Sequence, residues 1–109
     1  MSTGFNITKY RQGYSIGVGG VVLFEDKVLL VRSALGRNRG EWTIPGGLVE
    51  PDETIAAAIQ REIYEEANVQ AKIQGLIAAR NRVSENENSA YFVFLLHTDT
   101  EITKPDEDD

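Results

Sequence analysis

Apolar residues gather in short blocks along this chain, and the spacing inside each block separates strand from helix. Ser15 to Phe24 (SIGVGGVVLF) is β-branched and apolar and predicts a buried strand. Glu25-Asp26 supplies a tight turn, and Lys27 to Arg32 (KVLLVR) predicts the returning strand of a hairpin. Ser33 to Gly40 (SALGRNRG) is a polar loop, followed by Glu41 to Gly47 (EWTIPGG) and a short strand over Leu48 to Glu50. From Thr54 to about Ala67 the period becomes helical. Thr54 suits the N-cap, because its hydroxyl can accept from free backbone N–H groups of the first turn. Asn68 suits the left-handed residue that ends a helix. Val69 to Val83 predicts a long, bent strand, Ser84 to Asn88 a turn, and Ser89 to Thr98 (SAYFVFLLHT) a strongly buried strand. Residues 1–13 read as a polar leader and Glu101 to Asp109 as an acidic tail. The order is strands, one helix, then strands, which predicts an α+β domain with the helix packed on a mixed sheet.

Composition narrows the chemistry. At 109 residues without internal repeat or linker, 1–109 is one domain. A net charge of −6 argues against a nucleic-acid polymer as partner, since such binding works by neutralising phosphates. It leaves a small nucleotide open, because divalent cations screen phosphate locally. There is no cysteine and one histidine, His97, so thiolate chemistry and His-rich metal sites are excluded. Any metal must be held by carboxylates, carbonyls and water, which points to Mg²⁺, Mn²⁺ or Ca²⁺. No apolar run reaches the ~20 residues of a membrane span, and the start lacks a signal-peptide layout. A cytoplasmic protein is the default expectation.

The helix carries an anomaly. At about 100° per residue, with Glu62 at zero, Glu65 falls near −60° and Glu66 near +40°. Ile55, Ile59 and Ile63 fall near about +20°, +60° and +100°, so Glu66 lies inside the core-facing arc and Glu62 at its edge. Gln60, Arg61 and Tyr64 occupy the outer face. Carboxylates belong on the solvent side of an amphipathic helix, and Glu62 repels both Glu65 at i+3 and Glu66 at i+4. Burying such charges without a partner is costly. A divalent cation would remove both penalties; the plain alternative is a solvated face of good helix formers.

The stretch from Gly47 through Glu53, Arg61, Glu62, Ile63, Glu65 and Glu66 to Asn68 and Val69 resembles the Nudix box, spanning 47–69. That pattern is Gly, five residues, Glu, seven residues, Arg-Glu-apolar-any-Glu-Glu-any-Gly-apolar, and eight of its nine fixed positions match. The departure is Asn68 in place of the final Gly, a mild one because Asn tolerates the left-handed conformation. Upstream, Gly40-Glu-Trp42-Thr-Ile-Pro45-Gly46-Gly47 is similar to the run that commonly precedes the box, and the likeness spans roughly 14–98.

The resemblance implies a Nudix α/β/α sandwich with a mixed sheet and a loop–helix–loop catalytic motif. It implies Mg²⁺, with Mn²⁺ as substitute, bound by Glu62, Glu65, Glu66 and the carbonyl of Gly46. Arg61 would orient Glu65 and Glu53 would brace the loop, while Glu62 and Glu66 are the candidates for the base. The implied reaction is hydrolysis of a diphosphate bond in a nucleoside diphosphate linked to another moiety, ADP-ribose-like or a nucleoside triphosphate. Arg32, Arg37 and Arg39 flank the expected mouth and are candidate phosphate contacts. Trp42 is expected to pack rather than stack on a base, and Arg80 and Arg82 lie on the following strand. Tyr91, Phe92 and Phe94 are expected in the core, and His97 in a structural role. Against the family the chain is short: a further strand and a C-terminal helix are expected to be absent, a homodimer is expected at the edge this exposes, and Asp106 or Glu107 stand where some members carry the base. A non-catalytic Nudix-like module binding nucleotide or protein is the alternative function. A Ca²⁺-binding structural domain fits the acids but not the fixed Arg-Glu spacing.

Overall fold

The computed structural model describes residues 13–33 and 39–102. Strands β1 (Tyr14–Phe24), β2 (Lys27–Val28), β3 (Val31–Arg32), β4 (Trp42–Thr43) and β5 (Gly46–Leu48) precede helix α1 (Ile55–Ala67), and β6 (Lys72–Val83) and β7 (Asn88–His97) follow it. The main sheet runs β2-β1-β7-β6, and β5 shares with β2 the outer edge of β1. β1 and β7 are parallel, in register from Tyr14 opposite Asn88 to Leu23 opposite His97. The other pairings are antiparallel. The sheet is therefore mixed, and among the described residues one helix covers one of its faces.

Alternation along the central strands decides what that helix meets. Val18 and Val22 of β1 and Phe94 and Leu96 of β7 point to one face and pack with Ala58, Ile59 and Ile63 of α1. Each buried aliphatic side chain contributes about 1.5–3 kcal/mol relative to exposure. Tyr91 departs from the sequence expectation. It faces away from this cluster, because strand alternation sends Phe92 and Tyr91 to opposite faces.

Three other elements differ from their sequence reading. KVLLVR is not one strand. Lys27–Val28 pairs with β1, while Val31–Arg32 pairs with Trp42–Thr43 in a separate two-stranded sheet. The chain changes sheets at Leu29, which is buried and still donates its N–H to the Val22 carbonyl at 2.9 Å. The strand expected over Leu48 to Glu50 begins earlier, at Gly46, paired with Gly19. The long strand begins at Lys72 rather than Val69, because Val69 and Ala71 turn inward to close the core beneath the helix end. Its bend has a cause: register shifts between Ile73 and Gly75 and between Leu76 and Ala78.

Thr98, a buried polar residue, ties three segments together. Its N–H donates to the Leu23 carbonyl at 2.9 Å, and its hydroxyl donates to the Gln70 carbonyl at 2.8 Å while accepting from the Thr100 N–H at 3.1 Å.

Candidate active site

Both helix ends are fixed by local chemistry. The Thr54 hydroxyl accepts from the Ala57 N–H at 3.0 Å. Asn68 adopts φ 55°, ψ 38°, and its N–H donates to the Tyr64 carbonyl at 2.8 Å. Asn68 therefore occupies the left-handed position that the family pattern gives to glycine. With both ends set, Glu53, Arg61, Glu62, Glu65 and Glu66 have fixed phases.

Arg61 is the hub of the site. Its Nε and Nη2 donate to the two carboxylate oxygens of Glu53 at 3.0 and 2.6 Å, a bidentate pair. Its Nη1 donates to Glu62 at 2.9 Å and Glu65 at 3.2 Å, and Nη2 also donates to the Leu48 carbonyl at 3.1 Å. Glu50 stands 4.0 Å away. The wheel placed Arg61 on the outer face with Gln60 and Tyr64. The side chain instead folds back toward the loop before the helix and is only 23% exposed. Glu53 also accepts from the Glu50 N–H at 2.9 Å. The guanidinium and this N–H together hold the Glu53 carboxyl down at a pKa of about 2, and the carboxylates of Glu53 first and Glu62 next raise Arg61 above its ordinary value.

The wheel also ranked Glu66 as deeper than Glu62, and the structure reverses that order. Glu62 is nearly covered, its side chain 15% exposed, because it lies against Gly47. A Cβ on Gly47 would sit 2.6 Å from the Glu62 carboxylate, so only glycine permits this approach. Glu66 is more open and accepts from the Gly46 N–H at 3.0 Å. Partial burial raises its pKa; the Gly46 N–H opposes this, and the charges of Glu62 and Glu65 add to the rise. Glu65 is mostly exposed.

In this arrangement no three acidic or imidazole groups among the described residues converge closely enough to grip an ion. Arg61 engages Glu62 and Glu65, while Glu66 turns to Gly46. The donor chemistry nonetheless fits a hard divalent cation: three carboxylates at i, i+3 and i+4, with repulsion that a cation would relieve at Glu66.

The arginines expected at the mouth separate. Arg32 lies over the ring of Trp42, 5.1 Å from its centroid, opposite it in the β3–β4 pair. Trp42 is exposed rather than packed. Arg39 is exposed at the end of its loop. Arg37, Asp106 and Glu107 lie outside the described residues. Phe94 is buried and Phe92 packs against the core. His97 is half exposed, with Nδ1 3.8 Å from Asp99. Sequence reasoning missed that Arg80 stacks over Tyr91, 5.9 Å from its centroid, on the face opposite the core. The signal was available in the alternation of β7 and in two glycines, Gly17 and Gly19, two residues apart on β1.

Comparison with known proteins places the chain in a broader setting. The family model described as NUDIX domain matches residues 13–109. Over 86 residues the chain is 42% identical to diphosphoinositol polyphosphate phosphohydrolase 2 of Rattus norvegicus, covering 77% of this chain and 44% of that protein. It is 39% identical over 71 residues to an 8-oxo-dGDP phosphatase of Homo sapiens, covering 65% of this chain and 21% of that protein. Among solved structures, a NUDIX hydrolase from Nitrosomonas europaea superposes with a TM-score of 0.71 at 33% identity, covering 80% of this chain and 48% of that one. The chain thus spans less than half the length of these relatives.

Proposed function

The chain belongs to the NUDIX domain family, and from that premise we propose that it is a Mg²⁺-dependent hydrolase of a diphosphate bond in a nucleoside diphosphate linked to another moiety. One observation carries the reading. Arg61, fixed by Glu53, is bonded to Glu62 and Glu65, and Glu66 sits beside them on Gly46. A purely structural helix face has no use for five groups so ordered.

Glu62, Glu65, Glu66 and the Gly46 carbonyl would hold the cation, with Mn²⁺ able to replace Mg²⁺. When bound, it neutralises phosphate charge and lowers the pKa of water. Arg61 and Glu53 keep the carboxylates in place, a role that acts through other groups. Glu62 and Glu66 are the two candidate bases. The raised pKa of Glu66 favours it, since a carboxylate displaced toward neutrality accepts a proton more readily. Arg32 and Arg39 are available to phosphate, and Arg37 is proposed alongside them. The products are a nucleoside monophosphate and a second phosphorylated compound.

A second substrate class is suggested by the relatives named for diphosphoinositol polyphosphates. Net charge does not choose between the two classes, since a divalent cation that screens a nucleotide's phosphates screens those of an inositol polyphosphate as well. No helix among the described residues is long and apolar enough to cross a membrane, and a cytoplasmic location remains the expectation. A homodimer through the outer edge of β6 is part of the same proposal.

The test is a panel of ADP-ribose, 8-oxo-dGDP, a dinucleoside polyphosphate, a nucleotide sugar and a diphosphoinositol polyphosphate, assayed with Mg²⁺. Turnover of a nucleotide, its loss on chelation, and a fall of about 100-fold or more in Glu66→Gln support the proposal. An inert wild type would instead point to a non-catalytic binding module.

A further inference from the structure

On the face of the sheet opposite the core, β1 presents Gly17 and Gly19 and so leaves a trough without side chains. The Tyr91 ring lies in it. A Cβ on Gly19 would stand 2.0 Å from the Tyr91 hydroxyl oxygen, so the hydroxyl rests directly on the backbone there. The Ile44 side chain closes the same spot. Arg80, opposite Tyr91 in the β6–β7 pair, lays its guanidinium over the ring.

Two properties set this pair apart. Among the described residues Arg80 has no carboxylate within ion-pair distance, unlike Arg61, and neither its guanidinium nor the Tyr91 hydroxyl makes a hydrogen bond. The half-buried Tyr91 hydroxyl is nonetheless reachable by solvent, because no enclosed side-chain oxygen is left without a partner. A guanidinium fork and a phenol O–H, side by side and unengaged, are donors awaiting an acceptor. Moreover, the backbone links the pair to a carboxylate: Gly19, on which the Tyr91 hydroxyl rests, pairs with Gly46, whose N–H donates to Glu66. Burial raises the Tyr91 pKa, Arg80 opposes this and the charge of Glu66 adds to the rise, so the hydroxyl stays protonated as a donor.

We propose that Arg80 and Tyr91 form an anion-binding pair that grips a phosphate of the nucleotide substrate, with Arg80 held over the Tyr91 ring and the Tyr91 hydroxyl as the second donor. This rests on the hydrolase reading for the identity of the substrate, but not for the binding itself. Gly17 and Gly19 are the sequence feature that makes room for it.

The test pairs kinetics with binding. ADP binding in magnesium buffer is measured by calorimetry, and KM and kcat on whichever nucleotide of the panel is hydrolysed. Arg80→Ala is expected to weaken ADP binding and raise KM by about 10-fold with kcat within about threefold, as for a contact made equally in ground and transition states. Arg80→Lys keeps the charge but not the fork and falls between. Tyr91→Phe keeps the platform and removes the donor, raising KM by about threefold. Lys27→Ala, an exposed cation on β2, is the charge control and is expected to change neither quantity. ADP affinity and KM within about twofold of wild type in Arg80→Ala would overturn the pair, as would an equal loss in Lys27→Ala, which would mark an effect of net charge alone. If the wild type hydrolyses no substrate while Arg80→Ala still weakens ADP binding, the hydrolase reading fails and the pair stands.

Discussion

Glu53 and Glu66 show how neighbouring carboxylates acquire opposite acidities. Glu53 faces a guanidinium and a backbone N–H, whereas Glu66 has one N–H and two like charges. The folded-state pKa of Glu53, about 2 against an ordinary 4.5, lies below its unfolded value. Its stabilising contribution is therefore complete above pH 4.5 and is lost as pH falls toward 2. Melting curves over that window should be flatter in Glu53→Gln than in wild type. Glu66 has the opposite sign. Its folded pKa is raised, so its ionisation costs stability as pH climbs above its ordinary value. Metal-free Glu66→Gln should therefore melt higher than wild type at neutral pH, although it is expected to be inactive; a lower melting temperature would contradict this electrostatic account. Arg61→Lys keeps the charge and loses the fork on Glu53. It should lower kcat/KM by about 10–100-fold, as changes behind metal-binding carboxylates do. The box pattern made all these residues legible in type and spacing. It did not show that Glu62 is the more covered of the pair, because that depends on Gly47 lying against it from a different element.

At the scale of elements, the helix was readable at both ends because its caps are local. Thr54 bonds three residues on, and the Asn68 N–H bonds four residues back. Thr54→Ala should cost about 1 kcal/mol in denaturant unfolding. Asn68→Gly should be tolerated and Asn68→Ala should cost about 1 kcal/mol, since φ is 55° there. The hairpin was read less well. KVLLVR has the same alternating chemistry whether it pairs once or twice, and only burial of Leu29 shows where it changes partner. Residues 69–71 were assigned to the long strand for a similar reason: apolar spacing does not separate a strand from a linker that packs inward.

For the whole molecule, the open question is the outer edge of β6, which no other strand pairs among the described residues. Two bulges and two arginines blunt it, leaving the segment near Val83, itself 70% exposed, as the place for a second chain to pair. The expected homodimer should appear in light scattering as twice the chain mass, and Val83→Lys should return it to monomer. A monodisperse monomer for the wild type would remove the dimer from the proposal.

By itself the sequence determined the α+β class, the capped helix, and the identity and spacing of the carboxylates and Arg61. These are written within 23 contiguous residues or in strand alternation, where contacts are short in sequence and set by backbone geometry. Only the tertiary structure decided which edge each short strand takes, how deeply each glutamate lies, and that Arg80 meets Tyr91 over the glycines of β1. Those outcomes depend on residues distant in the chain packing against one another, and no local periodicity encodes which distant surface a side chain will meet.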